Sequence, residues 1–414
     1  MNKKTIIFIT VHPFNEDYAL KLGFDILKNR GFEIVVFNVY EILFRETVKE
    51  YKRIFAYGSQ LGPVFGINQF EVKSVKDLRI RLNGIEGWKI AILSHPYLSI
   101  LKVLKKTKVG YIRKFSNNAP PIPVTQRGYL REIIRVLRIF VSFRRLFFYA
   151  TNKIMPIFPR LFNVEPPEYV IVTSAASVPS YILSKTKVIY THSLDYDRYL
   201  RNKDKPRPKI VPDEDYYVYL PAVFGDGFSS IMEKWKPSSL SRNELVEIKN
   251  RFLGFVEKMT GKKIIIATHP KHASSEWNQY EGRPFIAYET EQLIKYSSGV
   301  LSHGSLSIKF AIIHEKPLGF LAIRSLGQYY EPNSHNVYTD YELYCKAQVS
   351  ELGGIVHYID TDNDLCQMMK EGIFSYNPDL YEDYKKKYIK CDNATDRLYW
   401  DVVADELLNE KVMQ

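Results

Sequence analysis

Three short stretches of the sequence carry side chains that could do chemistry at the ends of predicted strands. The first is GKKIIIATHPKH, in which a buried-type strand, 263–268, runs directly into His269, Pro270 and Lys271. Pro270 fixes the backbone at the turn, while an imidazole, an ammonium group and backbone amides together suit a phosphate. The alternative is that His269 is a packed turn histidine with no ligand.

The second stretch, VLSHGSLSIKFAIIHEKPLGFL at 300–321, has a similar arrangement. A strand ends at Ser302, a turn containing His303 follows, and Ser305 opens a predicted helix with Ser307 in its first turn. Helix N-termini bind phosphate through unpaired amides and the helix dipole, and hydroxyl groups add donors. These four side chains are therefore candidate nucleotide-binding residues, with ordinary helix capping by Ser305 as the alternative.

The third stretch is YTHSLDYDRYL, where Asp195 and Asp197 follow a predicted strand. Carboxylates at a strand end can act as a general base or as a nucleophile. Asp195 is favoured because it lies nearer the strand end, with Asp197 bracing the chain through Arg198 or Arg201. Asp226, in PAVFGDGFSS, is a rival catalytic carboxylate. The alternative is a solvated turn capped by aspartates.

Strands and helices alternate along the chain and must position these groups. Strands are predicted at 5–11, 33–38, 88–94, 169–174, 187–191, 216–224, 263–268, 284–288, 299–302, 317–322 and 355–359. Helices are predicted at 16–29, near 177–184, and at 239–260, 289–297, 305–314 and 378–412. Such alternation predicts βαβ units and parallel sheets. The Pro- and Lys-rich stretch 201–215 predicts a hinge between two similar halves facing across a cleft, where ligands bind at the carboxyl ends of the strands.

Length, composition and motif content limit the classes of protein to which the chain can belong. The chain has 414 residues, 45% hydrophobic, so two domains are expected. Its net charge of +12 favours anionic partners. Three cysteines without CxxC spacing argue against a metal cluster and for a reducing compartment. Dehydrogenase, P-loop, zincin and common hydrolase motifs are absent from the sequence. The apolar start reads as a strand rather than a signal peptide, and no run is long enough for a transmembrane helix.

The segment 127–162 differs from the rest because basic and apolar residues interleave. It has one acid, Glu132, and its basic residues are Arg127, Arg131, Arg135, Arg138, Arg144, Arg145, Lys153 and Arg160. This pattern is typical of an interfacial basic helix, so Arg131, Arg135, Arg138, Arg144 and Arg145 are candidate contacts to anionic membrane. The alternative is a core helix pair with solvated arginines. No nucleic-acid fold signature accompanies the segment, so a nucleic-acid partner is not expected.

The order of these motifs resembles that of GT-B glycosyltransferases, most closely those with CMP-activated ulosonic acid donors, the bacterial sialyltransferases and Kdo transferases. The resemblance covers roughly residues 165–325. It implies an α/β, GT-B fold with two Rossmann-like domains. An acceptor-side domain would span 1–208, a nucleotide-sugar domain 209–385, and a C-terminal helix, 386–414, would cross back. The acidic motif would supply the catalytic carboxylate, and the His-Pro histidine and serine-rich helix start would hold the nucleotide phosphate.

The resemblance also implies an activity. A sialic, Kdo or legionaminic-like sugar would move to a bacterial surface glycan, such as lipopolysaccharide or capsule, or to its lipid carrier. The enzyme would be cytoplasmic and peripheral at the inner face of the cytoplasmic membrane. It would use the nucleotide sugar as a substrate, without a cofactor or a bound metal. The alternatives are a UDP-sugar-dependent GT-B transferase or epimerase, and a non-catalytic glycan- or lipid-binding assembly protein.

Overall fold

The computed structural model gives the positions of most of the chain. It describes residues 3–11, 14, 16–44, 48–49, 64, 66–67, 69–93, 97–115, 119–121, 155, 158–179, 185–221, 236–237, 240–268, 277–326, 328–330 and 339–409. Backbone contacts divide these residues into two units: 3–115 with 155–194 and 390–409 form the first, and 119–121 with 195–389 form the second. None of the described helices is long and apolar enough to cross a membrane.

The first unit is built on a parallel sheet of seven strands. The strands are β1 (Lys4–Thr10), β2 (Glu33–Asn38), β3 (Gln69–Glu71), β4 (Trp88–Leu93), β5 (Gly110–Phe115), β6 (Tyr169–Val172) and β7 (Lys187–Tyr190). The helices are α1 (Glu16–Lys21), α2 (Phe24–Asn29), α3 (Tyr40–Leu43), α4 (Val75–Asn83), α5 (Leu98–Lys106) and, from the C-terminus, α13 (Tyr399–Asn409). The strand order is 3-2-1-4-5-6-7, which extends the doubly wound Rossmann order.

Both faces of this sheet are covered, as expected for parallel strands. Alternate residues of β1 point to opposite faces. Phe8 lies in a core that includes Trp400 of α13, while Ile7 lies in a second core that includes Leu101 of α5. The C-terminal residues therefore complete the core of the first unit.

Gly23 divides the predicted helix 16–29 into α1 and α2. Its φ of +65° is left-handed, and a Cβ atom there would lie 2.2 Å from the Trp400 ring. A side chain at this position would clash, so glycine is required where the indole approaches the backbone. The hydrophobic periodicity of 16–29 continues across the break, so the glycine itself is the sequence signal for it.

The second unit contains a parallel sheet of six strands. The strands are β8 (Tyr216–Leu220), β10 (Lys263–Thr268), β11 (Phe285–Ala287), β12 (Gly299–Ser302), β13 (Leu318–Ala322) and β16 (Val356–Tyr358), with β9 (Lys236–Pro237), β14 (Gln328–Tyr330) and β15 (Thr339–Asp340) in a small antiparallel sheet. The helices are α6 (Leu194–Asn202, which belongs to this unit from Asp195 onward), α7 (Arg242–Thr260), α8 (Thr290–Tyr296), α9 (Ile308–Ile313), α10 (Tyr341–Leu352), α11 (Asp362–Glu371) and α12 (Pro378–Tyr384).

The six-stranded sheet has the order β11-β10-β8-β12-β13-β16. Numbered along the chain within the sheet, this is again the Rossmann order 3-2-1-4-5-6. Phe252 of α7, Ile264 of β10 and Met368 of α11 share one core. The expected fold class, α/β with two Rossmann-like units, is confirmed. The expected domain limits at 208 and 385 concern functional domains and remain a prediction; by contact, residues 195–208 group with the second unit.

Candidate functional site

The second sheet has a topological switch point between β8 and β12. These strands are neighbours, with Leu220 opposite Ser302, and the chain leaves them in opposite directions along the sheet. In open α/β sheets, ligands bind outside the carboxyl ends of the strands at this point. β10 adjoins β8 on its other side, so the ends of β10 and β12 are about 10 Å apart at the usual strand spacing. His269 follows Thr268, the last residue of β10, directly in sequence.

The serine turn after β12 is internally hydrogen-bonded. The Ser305 backbone N–H donates to Ser302 Oγ at 3.1 Å, and the Ser307 N–H donates to Ser305 Oγ at 3.2 Å. Helix α9 begins only at Ile308, with Ser307 at the cap position and no capping hydrogen bond from its side chain. The expectation that Ser305 opens the helix is therefore wrong, because the serines close tight turns first. A hydroxyl that accepts one bond still has a proton to donate, so Ser305 can donate to an anion.

Helix α10 supports this turn from one side. Gly304 has a φ of +77°, and a Cβ atom there would lie 3.2 Å from Tyr344 Cβ and 3.5 Å from Cys345 Sγ. Gln348 Nε2 donates a hydrogen bond to the Ser305 carbonyl at 3.3 Å. The turn is therefore packed and hydrogen-bonded against α10.

The Gly304→Ala substitution is expected to destabilise the second unit. A left-handed residue with a Cβ costs about 1–2 kcal/mol, and contact with Tyr344 adds to that cost. Gly261→Ala is a matched control, because Gly261 has a φ of +68° but no neighbouring atom within 4 Å of the place that a Cβ atom would take. Urea unfolding should give a larger loss for Gly304→Ala. Equal losses would show that α10 does not constrain the turn.

His303 does not take the expected position of an accessible phosphate ligand. Its side chain is buried, and its ring makes an edge contact with Tyr219 at 5.5 Å between centroids. Burial, together with the positive charge of Lys249, lowers the pKa of His303 to about 3. The imidazole is therefore neutral at physiological pH and packs behind the turn. The burial of His303 cannot be predicted from the SHGS motif, because the spacing of the motif does not determine the orientation of the ring.

Lys309 is a buried cation that was not among the predicted site residues. Its side chain is 1% exposed, and Lys309 Nζ lies 3.5 Å from Asp195 Oδ2. Burial lowers the pKa of Lys309, and the Asp195 carboxylate partly opposes that shift. A single lysine within the apolar run SIKFAII is the sequence signal that could have identified it, because buried lysines require a partner.

Asp195 and Asp197 lie in the first turn of helix α6, not in an extended segment. Two helical positions apart, their side chains leave the axis in different directions. Asp197 is 3% exposed and accepts a hydrogen bond from Arg201 Nε at 2.9 Å, which is the bracing pair expected from the sequence. The Asp195 side chain is 37% exposed. Asp195 is therefore the accessible carboxylate of the two.

A buried polar cluster fixes helix α6 to the second unit. Glu291 is fully buried; His314 Nε2 lies 2.6 Å from Glu291 Oε1, and Asn202 Nδ2 donates to Glu291 Oε2 at 3.0 Å. Gln292 Nε2 also donates to Oε2, at 2.6 Å. Burial acts to raise the pKa of Glu291, but these hydrogen bonds outweigh it and the pKa is lowered. The cluster thus holds the helix that carries Asp195.

Several candidate residues lie outside the described part of the chain. They are Asp226, His269, Pro270, Lys271, Arg131, Arg135, Arg138, Arg144 and Arg145. Among the residues that the structure describes, no group of three or more His, Cys, Asp or Glu side chains could hold a metal ion. The expectation of a metal-independent reaction remains a prediction.

The similarity of the chain to known proteins is distant. No protein-family model and no curated protein matches the chain. The chain is similar to Acinetobacter baumannii MurG at 9% identity and a TM-score of 0.47, over 98% of this chain and 99% of that one. It is similar to a UDP-GlcNAc 2-epimerase of Methanocaldococcus jannaschii at 12% identity and a TM-score of 0.40, over 92% of this chain and 98% of that one. It is also similar to a Polygonum tinctorium UDP-glucosyltransferase at 12% identity and a TM-score of 0.49, over 99% of this chain and 98% of that one. Because these similarities are so weak, the assignment of two Rossmann-like units rests on the strand order of the chain itself.

Proposed function

We propose that the chain is a glycosyltransferase of the GT-B type that binds its nucleotide-sugar donor at the carboxyl edge of the second sheet. The observation that carries this proposal is the strand order: β10, β8 and β12 are consecutive, and β8 and β12 flank the switch point. The His-Pro stretch follows β10 and the serine turn follows β12 in sequence. Two groups of candidate phosphate-binding side chains, at the ends of the strands on either side of β8, suit a nucleotide phosphate.

The proposed phosphate ligands divide between these two strand ends. His269 and Lys271 would contribute an imidazole donor and a positive charge, and Pro270 would fix the turn between them. The hydroxyls of Ser305 and Ser307 would donate from the other side. Ser302 acts indirectly, since its Oγ accepts the Ser305 N–H and orders the turn. His303 contributes packing.

Asp195 is the proposed general base. The acceptor hydroxyl oxygen would form a bond to the anomeric carbon while the bond from that carbon to the nucleotide phosphate breaks. The acceptor proton would pass to the Asp195 carboxylate, and the phosphate would leave with the bonding electron pair, stabilised by His269. Asp195 is preferred to Asp197 because it is 37% exposed, whereas Asp197 is buried against Arg201. Asp226 remains the rival.

The proposed donor is a CMP-activated ulosonic acid, and the proposed acceptor is a bacterial surface glycan or its lipid carrier. A UDP-sugar is the second donor to test, because both donors present a phosphate to the same groups. The basic segment 127–162 supports a peripheral location at the anionic inner face of the cytoplasmic membrane.

Replacing His269 by alanine is expected to weaken nucleotide binding by about 1.5–3 kcal/mol, the worth of a hydrogen bond to a charged group. Isothermal titration calorimetry with CMP and with UDP measures this and identifies the preferred nucleotide. Lys271→Ala should act in the same direction, whereas Lys370→Ala, at an exposed lysine of α11, should not.

Two results would contradict the proposal. Binding of neither nucleotide by the intact protein would favour a non-catalytic assembly protein. Conversion of a UDP-sugar without any acceptor would favour an epimerase. Product analysis against a panel of nucleotide sugars, with and without acceptor, separates these outcomes.

A further inference from the structure

Two large apolar side chains project from one turn of the first unit. Phe158 is 56% exposed and Leu161 is 76% exposed; we call these two side chains the apolar tip. They lie beside and within a 3₁₀ turn, Pro159–Phe162, with Arg160 between them. Burial of both in water-excluded surroundings would be favourable.

The apolar tip stands on a fixed base. Leu161 N–H donates to the Phe158 carbonyl at 3.2 Å, and Val164 N–H donates to the Pro159 carbonyl at 3.2 Å. Pro159 and Val164 are buried, and Val164 belongs to the same core as Leu101 of α5. The turn is therefore anchored from beneath while its tip faces outward.

Basic side chains accompany the apolar tip. Lys105 Nζ, near the end of α5, contacts the residues that follow the turn, donating to Asn163 Oδ1 at 2.8 Å and lying 3.1 Å from Glu165 Oε1. Arg160, Lys102, Lys106 and Lys108 are exposed. The tip also ends the basic segment 127–162, which carries eight basic residues and one acid. Apolar side chains among positive charges match an anionic lipid surface, since the charges suit the headgroups and the apolar groups suit the acyl boundary.

We propose that Phe158 and Leu161 insert into the interfacial region of an anionic bilayer and anchor the first unit there. This inference rests on the membrane-facing part of the proposed function, but not on its transfer chemistry. It differs from attraction by the basic segment alone, because insertion of apolar groups persists when salt screens the charges.

The double variant Phe158→Ser/Leu161→Ser tests the proposal directly. Flotation with phosphatidylcholine–phosphatidylglycerol vesicles at low and high salt measures partitioning. The double variant should bind about tenfold or more weakly at both salt concentrations, since partial burial of two large side chains is lost. Met259→Ser is the matched control, because Met259 is 52% exposed on α7 of the second unit; it should bind like wild type.

A fluorescence measurement gives a positive signal for insertion, whereas the double variant gives only a loss of binding. The Leu161→Trp variant should gain a blue-shifted emission with anionic vesicles, beyond that of the four native tryptophans in wild type, and brominated acyl chains should quench it. Wild-type partitioning by the double variant, loss of all binding at high salt by wild type, or an unshifted tryptophan would overturn the proposal. So would a concentration-dependent dimer that the double variant abolishes, because the tip would then pack against a second copy. Calorimetric nucleotide binding by each variant separates these results from a failure of the proposed function.

Discussion

Asp195→Asn is expected to lower kcat by about 100- to 10,000-fold while nucleotide affinity stays nearly intact, which is the effect of losing a general base. Asparagine keeps the shape of the side chain but cannot take the acceptor proton. Asp197→Asn is the matched variant: its carboxylate is 3% exposed and paired with Arg201, so it should affect stability more than the chemical step. Single-turnover rates with saturating donor measure the chemical step.

Asp195 is also the ion-pair partner of Lys309, so the experiment needs a control for the loss of that ion pair. Asparagine would leave the buried ammonium of Lys309 without its partner carboxylate, so a slow enzyme could be a distorted one. Asp195→Asn/Lys309→Met removes both charges. If this double variant folds well and remains slow, the missing group is the base. Full activity of the double variant would contradict the assignment of the base to Asp195. So would an inactive Asp226→Asn variant together with an active Asp195→Asn variant. A glycosyl adduct on Asp226 should then be sought by mass spectrometry.

The strands are the most predictable part of the fold. The predicted strands 33–38, 263–268 and 299–302 coincide with β2, β10 and β12, because strands buried on both faces are continuous apolar runs. The sequence does not predict β5. Arg113 and Lys114 interrupt its apolar run, and Arg113 stacks on Phe115 at 4.3 Å, so the charges are accommodated by contacts that sequence periodicity does not contain.

The candidate site is predictable in position but not in side-chain environment. Motifs after strands indicate that residues 302–307 lie at the carboxyl edge of a sheet, and the switch point beside Ser302 agrees with that. The burial of His303 and the ion pair of Asp195 are not predictable. Each depends on residues distant in sequence, Tyr219 for the ring and Lys309 for the carboxylate. Local propensity cannot weigh such tertiary contacts.

Stability measurements on the Asp195–Lys309 pair should show strong coupling. Removing the Asp195 carboxylate weakens the compensation of the buried Lys309 charge, and losing one partner of a buried pair costs about 3–5 kcal/mol. The Asp195→Asn variant should lose about 3 kcal/mol of unfolding free energy, the lower end of that range, because the Asp195 side chain is partly exposed to water. Lys309→Met should cost less, since it leaves only the half-exposed carboxylate. The double variant should be within about 1 kcal/mol of wild type, because it removes both charges and leaves none buried without compensation.

The stability difference between Asp195→Asn and wild type should depend on pH. Burial depresses the folded-state pKa of Lys309, so the unfolded chain binds the proton more tightly. The contribution of Lys309 to stability therefore rises with pH from that folded-state pKa up to the unfolded lysine pKa of about 10.4. Without Asp195 the depression deepens, so the deficit of Asp195→Asn should be greatest near neutral pH and shrink toward pH 10. Urea unfolding at several pH values, with hydrogen exchange of peptides covering α6 and α9, measures this for the second unit. A deficit independent of pH, or additive single effects, would mean that Lys309 is not the charge that Asp195 compensates.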